Sequence, residues 1–336
     1  MAKKNLSIKE IAKISGVSVA TVSRVINQNG RFSKKTEKKV LKVIEDNNYK
    51  TNLVAKSLRM QQTNTIGVIV PDIKNEFFSS IVSEIEEYFF EEKNYTVFIC
   101  NTNGNANKEL DYLASLDSKG VDGLIYISGN DDMLHTSMRR DIPVVCIDRK
   151  PTNNSEITIV ESDNFDGGLK ATNHLIAKGC KKIVVLKGHK EISTARDRFR
   201  GYCEAMRQSD FSLNEELIVN LDKTNFESAR NAIDYLIKKE IEFDGIFAIN
   251  DWLALGALYA LKDNNFSVPE KVKIVGFDNV SISKYSYPSL TTIAQDKEQL
   301  GYTAAKELLK LITSSDSLAN KSHFSLPVSL VERGTT

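Results

Sequence analysis

From Thr65 onward the chain alternates short, nearly all-apolar runs with segments that read as helices, and this alternation constrains the fold more than any other feature. TIGVIVPD, TVFICNTN, VDGLIYIS and IPVVCID come first, and KKIVVLKG, FDGIFAIND and VKIVGFDN follow. Runs this uniformly apolar suit strands buried on both faces. The helical segments between them are 77–92, 166–178, 195–208, 226–238 and 252–263. Such an order predicts an α/β fold of parallel sheets with right-handed crossovers and flanking helices. Two runs in series imply two lobes with a cleft between them. The first lobe is expected over about 63–161 and 292–323, the second over about 162–291 and 324–336.

The residues before this body have a different texture. Ile8, Ile11 and Ala12 recur at helical spacing, and Gly16 then interrupts. Ser18 can cap a second helix that turns Val22, Val25 and Ile26 inward, and Ser33 a third with Val40, Leu41 and Ile44. Two short helices broken at a glycine form a helix-turn-helix pattern, here about 8–27, so an all-α domain is expected over 1–50. Charge separates the same two regions. Residues 1–60 hold 14 Lys and Arg against four Asp and Glu, a net of +10, while the remainder holds 31 against 40, a net of −9. That asymmetry suits a basic module meeting a polyanion, with a merely solvated basic surface as the alternative.

The second helix defines what could be read. Ala20, Ser23, Arg24 and Asn27 point away from its apolar face. In a major groove, Arg24 is the one long donor and suits bidentate contact with guanine, worth about 1–3 kcal/mol of discrimination. Val19 and Ala20 offer only methyl groups, which suit thymine. Ser7, Ser18, Thr21, Ser33, Thr36 and Tyr49, with nearby lysines, are candidates for holding phosphates, which sets register without reading sequence.

LSIKEIAKISGVSVATVSRVIN, then SKKTEKKVLKVIEDNNY and VAKSLR, resembles the N-terminal module of the lactose-repressor (LacI) family of bacterial transcription regulators. The resemblance continues through FAINDWLALGAL, IVGFDN, LTTIAQD and LPVSLVERGTT, so it spans essentially the whole chain. It implies a hinge helix over 51–62 that pairs with its symmetry mate in the operator minor groove, with contacts from Asn52 and Ala55 and with Leu58 as the wedge. An isolated helix this short is marginal in water, so DNA and a partner helix are expected to fold it. The family usually places proline before that asparagine. Here Thr51 stands there, without the fixed φ of proline. The resemblance further implies a homodimer on near-palindromic, double-stranded operator DNA.

Ligands of open α/β sheets bind beyond the carboxyl ends of strands. Polar and aromatic residues collect there: Asp72, Asn75, Phe77 and Phe78 after the first strand, Asp148 and Arg149 after IPVVCI, Arg198 in TARDRFRG, Asn250 after FAI, Asp278 after IVGF, and Gln295 after LTTIA. Carboxylates, amides and guanidinium groups saturate hydroxyls while aromatic faces cover a sugar ring's C–H side. The set resembles the site of periplasmic ribose-binding proteins, which implies ribose or a related monosaccharide as effector. Two arginines also fit a sugar acid or sugar phosphate. Asp163 and Asn164 lie near a ligand position of the family, with capping of the following helix as the alternative, and Trp252 either lines the pocket or packs.

Other classes find little support. There is no G-x-x-x-x-G-K-[ST], G-x-S-x-G or H-E-x-x-H, and His135, His174, His189 and His323 are isolated, so neither an enzyme, a metal nor a cofactor is expected. The start of the chain has basic residues but no apolar signal core, and no run reaches the roughly 18 residues of a membrane span. Cys100, Cys146, Cys180 and Cys203 are scattered, as reduced thiols are. The expectation is therefore a cytoplasmic, nucleoid-associated, sugar-controlled repressor. A global regulator with a phosphocarrier protein as co-repressor stays open, as does, more remotely, a sugar-transport binding protein.

Overall fold

The computed structural model describes residues 6–49, 62–127, 142–150, 157–188, 192–314 and 322–336. The chain divides into two compact units, Met1–Thr63 and Asn64–Thr336.

The first unit holds α1 (Ile8–Ser15), α2 (Val19–Ile26) and α3 (Lys34–Asp46). Each begins at a serine. The side-chain oxygens of Ser7, Ser18 and Ser33 accept from the backbone N–H of Glu10, Thr21 and Thr36 at 3.3, 3.1 and 3.1 Å, caps worth about 1 kcal/mol apiece. Gly16, in the left-handed region at φ 62°, ends α1 where the sequence breaks. Ile11, Ala12, Val22, Val25 and Val40 form the core, with Ile8, Ile26 and Ile44 against it. Leu41 does not join them. It is 46% exposed, and Val43 packs in its place. On a helix, positions 40, 43 and 44 share a face, and 41 is turned about 100° away from 40.

The second unit has two six-stranded sheets. β1 (Thr65–Val70), β2 (Thr96–Asn101), β3 (Gly123–Ile127), β4 (Val144–Ile147), β5 (Thr158–Ser162) and β11 (His323–Leu326) pair in the order β11-β5-β4-β3-β1-β2, all parallel. β6 (Ile183–Gly188), β7 (Ile218–Leu221), β8 (Gly245–Ala248), β9 (Lys273–Asp278), β10 (Thr291–Ala294) and β12 (Ser329–Val331) pair as β12-β10-β9-β8-β6-β7. There only β12 runs antiparallel, against β10. The helices are α4 (Glu76–Lys93), α5 (Ala106–Lys119), α6 (Asn164–Ala177), α7 (Ser193–Gln208), α8 (Phe226–Lys238), α9 (Asp251–Asp263), a short α10 (Ser281–Tyr285) and α11 (Lys297–Thr313).

Strand partners redraw the expected lobe boundaries. Residues 292–294, expected in the first lobe, belong to β10 and pair with β9 of the second sheet. Residues 324–326, expected in the second lobe, belong to β11 and pair with β5 of the first. The chain therefore passes between sheets after β5, after β10 and after β11. Two of these passages touch, the Asp163 N–H donating to the Leu326 carbonyl at 2.8 Å. A local apolar pattern cannot reveal which sheet a strand joins, because its hydrogen-bond partner lies far away in sequence.

Each sheet is covered on both faces. In the first lobe Ile66, Val68, Ile81, Ile85, Leu300 and Leu308 form one core, and Ile69, Leu113, Leu116, Tyr126 and Cys146 another. In the second, Val184, Leu186, Phe247, Ala254 and Leu258 belong to one continuous cluster. Complete burial of such aliphatic side chains contributes about 1.5–3 kcal/mol each. All four cysteines are free thiols. Among the described residues no helix is long and apolar enough to cross a membrane.

Candidate nucleic-acid interface and effector cleft

In the first unit the outward surface of α2 is set by its caps and its spacing. Val19 is 36% exposed, and Ala20, Arg24 and Asn27 are exposed beside the half-buried Thr21 and Ser23. Not all of these are unengaged. The Asn27 amide donates to the Ser23 carbonyl at 2.8 Å and to its Oγ at 3.3 Å, which closes the helix. Ser18 and Ser33 share their hydroxyls with Thr21 and Thr36, both at 2.9 Å. Ser7 forms a capping box with Glu10, donating to Oε2 at 2.8 Å. These serines hold helix N-termini, where backbone N–H groups favour anions. Tyr49 packs at the edge of the core, and burial pushes its phenol up. Arg24 is left as the one long donor on the face. Asn52, Ala55 and Leu58 lie outside the described residues.

In the second unit the residues expected in the cleft fall into two groups. Asp148, Arg198, Asp278 and Gln295 join one buried network. Its centre is Arg198 on α7: Nε donates to Asn164 Oδ1 at 2.7 Å, and Nη1 donates to the Ile249 carbonyl at 2.6 Å and reaches Asp278 Oδ1 at 3.4 Å. The guanidinium lies 3.7 Å from the centroid of Phe277, stacked on its face. Asn164 donates in turn to Asp148 Oδ1 at 3.4 Å and the Ser162 carbonyl at 2.9 Å. Gln295 donates to Asp278 Oδ1 at 2.7 Å. The network runs from the end of β4 in one lobe to the ends of β9 and β10 in the other.

Backbone packing puts these groups side by side. A Cβ on Gly168 of α6 would overlap the Arg198 carbonyl oxygen, and one on Gly201 of α7 would overlap that of Phe165. Only glycines let the two helices approach this closely, which brings Asn164 and Arg198 within bonding distance. Asp251, buried at the start of α9, accepts from the Val280 N–H at 2.9 Å and Thr292 Oγ1 at 2.5 Å, fixing the turn that follows Asp278. Lys297 Nζ donates to the carbonyls of Asp278 and Asn279, both at 3.1 Å.

Burial dominates the electrostatics. It pushes the Asp278 carboxyl up to about 6, with Arg198 opposing and Asp148 reinforcing the shift. Burial also raises Asp148, opposed by Arg198, and raises Asp251 well above its ordinary range. At the lobe junction Lys150 pairs with Glu161 at 2.9 Å and Asp197 at 3.1 Å. Across the cleft, Glu76 accepts from the Ser281 N–H at 2.9 Å and its Oγ at 2.8 Å. These contacts tie the lobes at two places.

The second group stands apart from the network. Asn75 and Asn250 accept from the N–H of Phe77 at 3.1 Å and of Leu253 at 2.8 Å, as caps of α4 and α9. Asp72 accepts from the Lys74 N–H at 3.0 Å. Phe77 is 4% exposed and belongs to the first-lobe core, with Phe78 edge-on to it at 5.3 Å. Arg149 is wholly buried and stacks 4.6 Å from the Tyr126 centroid. Trp252 is 38% exposed. Of the two residues left between ligand and cap, Asp163 is the cap of α6, accepting from the Asp166 N–H at 2.9 Å, and Asn164 joins the network. Asn164, Asp251 and Lys297 are the members that strand-end reasoning does not find.

Comparison with known proteins agrees with this arrangement. Residues 63–328 match the family described as periplasmic binding proteins and sugar binding domain of LacI family, and residues 7–52 match bacterial regulatory proteins, lacI family. The chain is 35% identical to the HTH-type transcriptional regulator RegA of Clostridium saccharobutylicum, over 98% of this chain and 99% of that one. Among solved structures it is similar to the lac repressor dimer bound to operator and the anti-inducer ONPF, with a TM-score of 0.88, 28% identity and 99% of both chains covered. It is also similar to a periplasmic binding protein/LacI transcriptional regulator from Alkaliphilus metalliredigens complexed with D-xylulofuranose, with a TM-score of 0.72, 35% identity, and 81% of this chain and 99% of that one covered. Its relatives are regulators and not enzymes. The chain belongs to the LacI family, as a DNA-binding transcriptional repressor with a ligand-binding domain.

Proposed function

We propose that this repressor binds a near-palindromic operator as a homodimer and leaves it when a neutral, ribose-like monosaccharide enters the cleft. One observation carries the choice of ligand. Among the described residues, buried Asp148 Oδ2 and Gln295 Oε1 accept no hydrogen bond, and neither does Ser162 Oγ. A buried acceptor left unmade costs about 1–3 kcal/mol, so the site gains most from a molecule rich in donors. Hydroxyl groups supply donors, whereas phosphate and carboxylate add further acceptors. Arg198 already gives Nε to Asn164 and Nη1 to Ile249 and Asp278. The sugar bound by the Alkaliphilus relative, D-xylulofuranose, supports the five-carbon class.

A second copy of the chain gives the exposed aromatic side chains of the second lobe a partner. Tyr285 and Tyr287 are 78% and 86% exposed, and Tyr259 and Trp252 stand out one face of α9. A lone reading module makes too few contacts for tight specific binding, and a two-fold dimer doubles them. Operator binding places the protein with DNA in the cytoplasm. Calorimetric titration with D-ribose, D-xylulose and ribose 5-phosphate tests the effector class. Binding of a free pentose, with matching loss of operator affinity, is the expected result; response to the phosphate alone overturns the neutral-sugar reading.

A further inference from the structure

The connection after α2 turns back onto the reading helix. Gln28 and Gly30 take positive φ, at 50° and 90°, and the Asn29 N–H donates to the Arg24 carbonyl at 3.1 Å. A Cβ built on Gly30 has three nearest neighbours, all in Arg24: Cδ at 3.2, Cγ at 3.5 and Nε at 3.6 Å. The arginine stem thus lies along bare glycine backbone. A φ of 90° is open to glycine and strained for residues with a side chain.

We propose that Gly30 is a positioning residue for DNA recognition: its backbone is a shelf along which the Arg24 stem lies, so that the 28–30 turn, together with α2, aims the guanidinium. The proposal rests on Arg24 reading a base. Arginine has large rotamer freedom, and bidentate contact with a base edge requires one orientation of a planar fork. Neighbouring side chains on α2 do not supply that restraint. Val19 and Ala20 are short, and Asn27 is bonded to Ser23. The shelf comes from outside the helix, four to six residues along the chain. A bulkier residue at position 30 lifts the stem and changes which atoms the guanidinium reaches.

A glycine kept only for the turn would act on folding and on all DNA binding alike. The full-length protein is used to select an operator from a randomised duplex pool. Single base-pair variants of it are then bound by the native chain, Arg24→Ala, Gly30→Ala, Gly30→Asn and the two double variants. Asparagine is among the side-chain-bearing residues least strained at positive φ, so Gly30→Asn adds the Cβ at less cost to the turn than Gly30→Ala, and an unrelated duplex reports the competent fraction of each protein. The expected result is that Arg24→Ala lowers discrimination at one base pair about tenfold. Either Gly30 variant lowers discrimination at that same pair by a comparable factor, and neither adds to the effect once Arg24 is alanine. Equal weakening on every duplex, or an undiminished Gly30 effect in the Arg24→Ala background, overturns the shelf while leaving Arg24 as reader. If Arg24→Ala changes discrimination at no pair, the reading of Arg24 itself fails, and the proposal with it.

Discussion

The two units place their charged residues in opposite surroundings. In the first, Arg24 stands exposed on a helix whose caps and turn hold it. In the second, Arg198 is 7% exposed, bonded on three sides and stacked on Phe277. An exposed arginine costs the fold little and is available to a partner, whereas a buried one is part of the fold it serves. Function in the first unit therefore separates from stability. In the cleft the two are coupled.

Removing each arginine tests that contrast most sharply. Arg198→Ala leaves Asp278 and Asp148 buried without their cation, so calorimetric unfolding should show a loss of about 3–5 kcal/mol together with loss of the sugar response. Arg24→Ala should leave melting within about 0.5 kcal/mol of the native chain while operator discrimination falls by about 1–3 kcal/mol. Similar melting losses in both variants would break the comparison.

A second test uses pH. The Asp278 carboxyl is at about 6 in the folded chain, against an ordinary value of 3.8. Above 6 it is charged in both states, and the folded state bears the cost of holding it so. As pH falls through 6 the folded protein takes up a proton that the unfolded chain takes up only near 3.8. Native stability should therefore rise, relative to Asp278→Asn, by at most about 3 kcal/mol between pH 7 and pH 4. Sugar affinity should move the other way, since the carboxylate is the better acceptor. A difference between native and variant that does not change with pH would show that Asp278 is less buried than the network indicates.

The smallest effect belongs to the first unit. Ser18→Ala removes the cap of α2 and should lower its stability by about 1 kcal/mol, read by circular dichroism melting. Operator binding should fall uniformly across base-pair variants, because the serine orders the helix and reads no base. A selective loss at one pair would instead make Ser18 a reader.

Much of the architecture was legible because its signals are local. Serine caps, the break at Gly16 and the apolar faces of the three helices all lie within a few residues of one another. The five body helices with expected ends fall within two residues of them for the same reason, whereas α5, α10 and α11 carry no such expectation. Leu41 lies in the apolar run but not on the stripe, because its angular position on the helix turns it to solvent. The buried network was legible in part. Asp148, Asp278 and Gln295 follow from strand-end position and Arg198 from the helix of TARDRFRG, whereas Phe77, Asn75 and Asn250 lie near strand ends but sit in the core or cap helices apart from the network. For Asn164 the sequence left ligand position and cap open, because an asparagine beside a helix start fits both until its neighbour Asp163 is seen to fill the cap.

The sequence by itself determined the alternation of strands and helices, the basic all-α module and the family, because these depend on residue type and short-range spacing. Only the tertiary structure decided that β10 and β11 exchange lobes and that Gly168 and Gly201 bring Arg198 to Asn164. These last depend on which distant segments meet, and on how closely backbone can approach once they do.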